Sequence, residues 1–304
     1  MNRQLIEDIA AAVLYEGYLL YPYRASAIKN RQRWNFGVLY PPAYTGQQAG
    51  SDTSEMRTEC LLRASPEASP KVRIRFLHLI AQTLEGQQWQ GAMPREIEVD
   101  ARTLSELASQ AGPQNVAFPG GDNLRPLEAV VEIEGTRLAD NLYKLSVSIS
   151  NTTVLAGSTR EQALMQSLVS THTILGIEGG EFISLLDPPD ELRVAAAACA
   201  NRGTWPVLAG EEGHRDAMLS SPIILYDYPQ IAPESPGALF DGTEIDEILT
   251  LRILTLTDEE KRAMAASDER TRHILERTEA LSPEQFMKMH GVFRNLRDAP
   301  VETR

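Results

Sequence analysis

The sequence lacks the residue patterns on which most recognisable active sites are built. It holds only two cysteines, Cys60 and Cys199, and their spacing matches no zinc or iron–sulfur motif. The phosphate-binding, dinucleotide-binding, zinc-protease and serine-hydrolase signatures are all missing. These absences argue against nucleotide hydrolysis, dinucleotide redox chemistry and the common hydrolase mechanisms. They also predict a protein without a bound cofactor.

Long apolar runs are missing as well, since no stretch approaches the ~20 residues that a membrane helix needs. The first residues, Met1–Asp8, include Arg3 and two acids and lead into no uninterrupted apolar segment, so no signal peptide is expected. The two cysteines favour reduced thiols in a cytosol, with a single disulfide as the alternative. We therefore expect a cytoplasmic protein that does not insert into membranes.

Positive charge is scarce, because 29 Lys and Arg residues face 42 Asp and Glu residues and give a formal net charge of −13. Nucleic acids and anionic membranes are bound through concentrated Lys and Arg, so neither is an expected partner of the whole chain. A hydrophobic content of 42% is close to the globular average, and 304 residues suffice for one large domain or two ordinary ones.

One short region departs from this acidic background. Residues 15–44 hold eight of the nineteen aromatic residues, and they carry Arg24, Lys29, Arg31 and Arg33 against one acid. The rings could pack into the core of the fold, or they could form a surface that binds a partner, because tyrosine, tryptophan and arginine dominate binding hot spots. A further interpretation is that Arg24 and Lys29 hold a carboxylate or phosphate.

The pattern of the first half of the chain predicts mainly antiparallel strands. Helical spacing predicts a helix over 4–20, and 34–40 resembles a strand. Alternating apolar and polar residues predict a hairpin between 127–134 and 141–151. Further predicted elements are strands at 58–63, 72–83 and 96–100 and a short helix at 103–110.

The pattern of the second half predicts a mixture of helices and strands. Ser158 and Glu161 resemble a capping box and predict a helix that runs to Leu175. Further strands are predicted at 182–186, 204–208, 223–226 and 248–256, and further helices at 191–200, 258–280 and 283–296. The sequence thus predicts an α+β fold with a helix and antiparallel sheet in 1–155 and a mixed α+β region in 156–304. The two regions are either separate domains or one continuous domain.

The densest polar cluster of the second half is the segment 210–216. Glu211, Glu212, His214 and Asp216 could ligate a metal or transfer protons, with His172 from the predicted helix as a further ligand. This pattern allows a metal-dependent hydrolase. It is equally the pattern of a solvated loop between two strands, since one loop rarely supplies a metal site alone.

Two segments resemble a known group of proteins. They are 20–40, which begins LYPYRASAIKN, and 221–260, which begins SPIILYDYPQI. Both are similar to an uncharacterised bacterial protein family encoded beside nickel–iron hydrogenase genes, and the similarity extends over most of the chain. The resemblance implies a role in hydrogenase assembly, maturation or scaffolding, and it identifies no catalytic residue.

The function predicted from the sequence is that of a non-catalytic, cytosolic accessory protein that binds a partner protein. A nickel–iron hydrogenase subunit or a maturation factor is the partner that the resemblance implies. The alternative is a metal-dependent hydrolase that uses the loop at 211–214. The predicted contact surface comprises Tyr21, Tyr23, Arg24, Arg31, Arg33, Trp34, Tyr226 and Tyr228.

Overall fold

A computed structural model of the chain describes residues 3–14, 34–46, 52–84, 87–110, 112–155, 159–230, 253–267 and 269–282. The strands in these ranges are β1 (Glu55–Ala64), β2 (Lys71–Leu84), β3 (Gln87–Glu98), β4 (Gly112–Phe118), β5 (Leu127–Ala139), β6 (Leu142–Asn151), β7 (Val169–Gly176), β8 (Gly180–Ile183), β9 (Trp205–Leu208) and β10 (Ala217–Ser221). The helices are α1 (Arg3–Leu14), α2 (Pro42–Thr45), α3 (Leu104–Ser109), α4 (Arg160–Leu164), α5 (Arg193–Ala197), α6 (Asp258–Ser267) and α7 (Glu269–Glu279). The predicted α+β class is confirmed.

The strands form two antiparallel sheets of five strands each. Sheet 1 has the order β4-β5-β6-β1-β8, and sheet 2 has the order β3-β2-β7-β10-β9. Alternate residues of both sheets meet in one hydrophobic cluster, in which Phe76 of sheet 2 and Tyr143 of sheet 1 are buried. The two sheets therefore pack face to face as a sandwich.

The predicted hairpin in the first half is confirmed as β5 and β6. Val131 lies opposite Ile149 and Ile133 lies opposite Val147. The glutamates that alternate with these residues on β5 are exposed, so the period of two places one face in the core and the other in water. Asn141 closes the turn with a φ of 56°, a conformation that asparagine tolerates better than most residues.

Each sheet takes strands from both sides of residue 155. Sheet 1 includes β8, and sheet 2 combines β2 and β3 with β7, β9 and β10. The boundary drawn from the sequence therefore falls inside the sandwich, and the described strands of both regions share one core.

Helices cover parts of the outer faces of the two sheets. Ile6 and Ile9 of α1 pack on Ile174 and Leu219 of sheet 2. Residues of α6 and α7 join the cluster that covers Leu77 and Leu79, farther along the same face. On sheet 1, Leu192 and Ala196 cover Leu61, Leu142 and Ile183. None of the helices in the described ranges has the length and apolar character of a bilayer-spanning segment.

The helix predicted from 158 to 175 is wrong. The helical part is only α4, whose capping box uses Thr159 and Gln162, and the chain then forms β7. All eight residues of β7 are buried, because helices cover the outer face of sheet 2 and sheet 1 covers the inner face. A strand buried on both faces shows no alternation, so the leucines at helical spacing were misleading.

Three predicted strands also need correction. Residues 34–40 form no strand: Leu39 makes isolated bridges, and the carbonyls of Phe36 and Gly37 accept from the N–H groups of Ser170 and Thr171. Residues 223–226 form no strand, and the strand in this region is β10, which ends at Ser221. Of the strand predicted at 248–256, Ile253 and Leu254 are helical and 248–252 lie outside the described residues. The helix predicted at 283–296 also lies outside them.

Candidate functional site

The structure describes only part of the predicted contact surface. Trp34, Tyr226 and Tyr228 are the predicted surface residues that the structure describes. The remaining five, Tyr21, Tyr23, Arg24, Arg31 and Arg33, lie outside the described residues.

Trp34 does not belong to a surface. Its side chain is buried in a cluster with Val38, Tyr40 and Leu164. The backbone beside it is fixed as well, since Arg160 Nη2 donates to the Trp34 carbonyl at 2.9 Å. The ring is therefore part of the core of the fold.

Tyr228 anchors the segment to the sandwich. Its backbone N–H donates to the Leu208 carbonyl at 2.7 Å, and its ring packs, partly buried, against the core between the sheets. Its φ of 56° turns the chain back towards β9. Tyr226, two residues earlier, is 82% exposed. The two tyrosines of the prediction thus have different roles, one as an anchor and one as an exposed ring.

Asp227, between the two tyrosines, connects the two sheets. Its Oδ1 accepts from the N–H of Leu208, at the end of β9, at 2.8 Å. Its Oδ2 accepts from Ser184 Oγ, just after β8, at 2.5 Å. Ser184 Oγ also accepts from the N–H groups of Leu186 and Asp187. One carboxylate therefore positions both the 226–228 segment and the chain after β8.

Large apolar side chains are exposed on both sides of this carboxylate. Leu186 is 56% exposed, Ile224 is 73% exposed and Tyr226 is 82% exposed. We call these three residues the Tyr226 surface. Single exposed apolar residues are common, whereas several in one patch are typical of interaction sites. These three lie within three residues of the part-buried hydrogen bond between Ser184 and Asp227. Sequence reasoning found Tyr226 and missed Leu186 and Ser184.

The candidate metal ligands do not come together. Glu211, Glu212 and His214 are exposed in the turn between β9 and β10, which Gly210 and Gly213 shape with φ values of 106° and 88°. The other end of this turn lies beside Ile177, whose N–H donates to the Asp216 carbonyl. His172 is five positions from Ile177 along β7, on the order of 16 Å at 3.3 Å per residue.

His172 itself is a buried residue of β7. It is 0% exposed, and its Nδ1 lies 3.1 Å from the Ser170 carbonyl. Burial lowers the pKa of His172 to about 4, with Arg75 as a further cause, against the opposing effect of the Ser170 carbonyl. The ring is therefore neutral near pH 7. Within the described ranges, no three His, Cys, Asp or Glu side chains converge as a metal site would require.

A buried carboxylate that sequence reasoning missed is Glu59 on β1. It accepts hydrogen bonds from Arg57 at 2.6 Å, from Lys144 at 3.3 Å and from the N–H of Ala200 at 2.7 Å. Burial alone would raise the pKa of Glu59, but these hydrogen bonds outweigh burial and lower it. Asn201 adds two hydrogen bonds to the Glu59 backbone. The cluster fixes the chain after α5 to sheet 1.

The two cysteines are free thiols. Burial raises the pKa of Cys199 to about 11 and raises the pKa of Cys60 still further. Both groups are therefore protonated near pH 7 and are poor nucleophiles. A scan against protein-family models gives no match to this chain, and a search of the curated proteins gives none either.

Proposed function

We propose that this protein is a non-catalytic accessory protein that binds a partner protein through the Tyr226 surface. The observation that carries the proposal is the exposure of the Tyr226 ring, 82%, on a segment whose next two residues are held by hydrogen bonds to β9. An exposed tyrosine on fixed backbone offers a large contact area at a low cost in conformational entropy.

Pre-organisation distinguishes this surface from an ordinary exposed loop. Asp227 holds the segment to both sheets, and Tyr228 inserts its ring against the core. Binding then does not require the backbone to become ordered. In a flexible loop, this ordering would reduce the free energy of binding by about 1–2 kcal/mol per residue. The neighbouring Asp187 carboxylate is exposed, which favours a partner surface that combines apolar and basic residues.

The proposed partner is a nickel–iron hydrogenase subunit or a factor of its maturation machinery, and the proposed location is the cytoplasm. The support for this partner is the sequence resemblance of 20–40 and 221–260. Tyr226 lies in the second of these segments, and Tyr21, Tyr23, Arg24, Arg31 and Arg33 lie in the first. We therefore keep those five residues in the proposal as further contacts with the partner.

The test compares three tagged versions of the full chain: wild type, Tyr226→Ser and Val154→Ser. Val154 is 85% exposed and lies apart from the Asp227 hydrogen bonds, so its variant controls for the loss of an exposed apolar group. Hydrogenase subunits and maturation proteins that co-purify are quantified by mass spectrometry. A hot-spot tyrosine contributes about 2 kcal/mol or more, so we expect recovery with Tyr226→Ser to fall about thirtyfold at limiting concentrations.

Two results would count against the proposal, and they differ in meaning. Equal recovery of the hydrogenase proteins by all three versions would remove Tyr226 from the interface. No enrichment of any hydrogenase protein by wild type would remove the proposed partner.

A further inference from the structure

The side of the sandwich formed by β3 and β4 is built differently from the rest. These are edge strands of different sheets, and side-chain contacts connect them. Gln114 on β4 accepts from the N–H of Asp100 at 3.0 Å and donates to the Glu98 carbonyl at 3.1 Å. Farther along, the segment after β4 reaches sheet 2, where the N–H of Ala81 donates to the Asn123 carbonyl at 2.8 Å.

Arg95, Phe118 and His78 lie between these two connections, and we call them the edge site. Arg95 is two positions from the buried Ile97 on β3, so its side chain starts from the inner face of sheet 2. Its Cζ lies 5.2 Å from the centre of the Phe118 ring. Phe118 in turn packs edge-on against Phe76 in the core, with ring centres 5.4 Å apart. The ring that supports the guanidinium is therefore itself held by the core.

The guanidinium of Arg95 is half-buried and lacks an anionic partner. Its Nε is buried without a hydrogen-bond acceptor, and in the described part of the chain no carboxylate forms an ion pair with it. Arg73 and Arg75 make the contrast clear, because both lie within 4 Å of Glu96. A half-buried arginine without a carboxylate is notable in a chain with a net charge of −13.

His78 forms the back of the edge site. It is 0% exposed, and its ring centre lies 6.4 Å from that of Phe118. Its Nε2 lies 2.9 Å from the Arg125 carbonyl, which can only accept, so Nε2 carries the hydrogen and Nδ1 carries a lone pair. Nδ1 is buried and has no partner within the described ranges. Burial lowers the pKa of His78 to about 4, and the charge of Arg95 contributes, so Arg95 is the only cation of the three near pH 7.

We propose that the edge site binds a small oxyanion, a carboxylate or a phosphate, through the guanidinium of Arg95. A guanidinium that meets an aromatic ring keeps N–H donors in its own plane, and these donors match two oxygens of one anion. The anion would supply the partner that Arg95 lacks, while the Phe118 ring supports the guanidinium. The connections through Gln114 and Asn123 limit the site to a small ligand.

This inference does not rest on the proposed function. It uses β3 and β4, whereas the Tyr226 surface lies by β8 and β9, at the opposite edges of the two sheets. Loss of partner binding in Tyr226→Ser would leave it untouched, and loss of anion binding in an Arg95 variant would leave the partner proposal untouched.

The test follows the imidazole signals of the full chain by nuclear magnetic resonance near neutral pH. The His78 signal is assigned by its absence in His78→Gln. Sodium acetate and sodium phosphate are titrated separately, with sodium chloride added to hold the ionic strength constant. We expect the His78 signal to shift with at least one anion and to saturate, because a bound negative charge changes the field at the ring.

Two arginine variants separate a site from general charge screening. Arg95→Gln removes the proposed ligand group, and Arg215→Gln removes an exposed arginine in the turn between β9 and β10 with the same change in net charge. We expect Arg95→Gln to weaken binding about tenfold or more, as for a charge-assisted hydrogen bond, and Arg215→Gln to leave binding unchanged.

The two probes also identify the ligand class. Saturation with acetate alone identifies a carboxylate site, and saturation with phosphate alone identifies a phosphate site. A shift that grows linearly with both anions overturns the proposal, as does equal affinity in wild type and Arg95→Gln. Unfolding curves of the variants show that each is folded, and Arg95→Met, which keeps a long side chain over Phe118, replaces Arg95→Gln should that variant unfold.

Discussion

The two sides of the sandwich are closed by different means. On the side of β8, β9 and β10, backbone and carboxylate hydrogen bonds join the sheets: the N–H of Phe182 donates to the Arg215 carbonyl at 2.7 Å, and Asp227 accepts from both sheets. On the side of β3 and β4, the Gln114 side chain and a backbone hydrogen bond from Ala81 to the Asn123 carbonyl form the connection, and within the described ranges Arg95 and His78 keep buried nitrogens without partners. The first side is built for stability, and the second keeps polar groups available for a ligand.

The largest effect is expected on the stable side, at Glu59. Glu59→Ala leaves the N–H of Ala200 without its acceptor and removes the carboxylate from Arg57 and Lys144. Breaking a buried charged network of this kind costs about 3–5 kcal/mol. Urea unfolding measures the loss, with Glu132→Ala, on the exposed face of β5, as the control. If Glu59→Ala loses no more stability than Glu132→Ala, water replaces the carboxylate at no cost in folding free energy.

The pH dependence of folding provides the next largest effect. The folded-state pKa of His172, about 4, lies below its ordinary value of 6.5. As the pH falls below 6.5, the unfolded chain binds the proton first, so stability is lost progressively down to about pH 4. The difference corresponds to about 3 kcal/mol.

His172→Gln should remove the contribution of His172 to this pH dependence, and His214→Gln, in an exposed turn, should keep it. The pKa of His78, on the neighbouring strand β2, is lowered in the same direction, so His78 adds to the pH dependence in the same window. Glu59 acts outside this window, because its lowered pKa stabilises the fold above 4.5 and the contribution is lost as the pH falls through the folded pKa. Urea unfolding at several pH values separates these contributions.

Asp227→Ala tests the connection between the sheets. The substitution leaves the N–H of Leu208 and the hydroxyl of Ser184 without their acceptor, at a cost of about 2 kcal/mol. Thermal or urea unfolding detects this cost, and Asp122→Ala, an exposed acid after β4, is the control. Partner binding should weaken in Asp227→Ala as well, because Tyr226 would lose its fixed backbone. Stability equal to wild type would show that Tyr228 anchors the segment alone.

The corresponding connection on the other side is expected to be weaker. Gln114→Ala removes two partly exposed hydrogen bonds, to Asp100 and to Glu98, at a cost of about 1 kcal/mol. Hydrogen exchange at the Asp100 amide should accelerate, whereas Asn115→Ala, on the outward face of β4, should leave it unchanged. Unchanged exchange in Gln114→Ala would show that the two edges need no connection.

The smallest effect is expected at Arg95. Arg95→Met loses a cation–π contact with Phe118 of about 0.5–1 kcal/mol, but it also removes a buried nitrogen without an acceptor. These contributions have opposite signs, so urea unfolding should give a stability within about 0.5 kcal/mol of wild type. A large destabilisation would show that Arg95 is a structural residue like Glu59 and would end the contrast between the two sides.

The sequence predicts those strands that have one buried face and one face exposed to solvent. β5 alternates Leu127, Ala129 and Val131 with exposed residues, and this period of two identifies the strand without further information. β7 and β10 are buried on both faces, so no period remains to distinguish them from buried helix. Prediction failed where the packing of two layers, rather than local preference, determined the structure.

The sites were predictable to different degrees for the same reason. Tyr226 stands out as an aromatic residue in a proline-rich segment, whereas the role of Asp227 depends on Ser184, 43 positions earlier. Arg95 did leave a signal, since it shares its strand face with Ile97 and Val99, where an apolar residue is expected. A charge at such a position is worth noting in any strand.

Because sheet 2 unites β2 and β3 with strands that begin about 70 to 120 residues after β3 ends, a ribosome exposes the first hairpin well before its neighbours exist. At about 5–20 residues per second, β7 to β10 leave the ribosome several seconds after β3. During this interval the edge of β2 that pairs with β7 in the finished sheet has no neighbouring strand. The growing chain is thus a natural client for a chaperone, and shortened versions that stop before β10 should accumulate as aggregates.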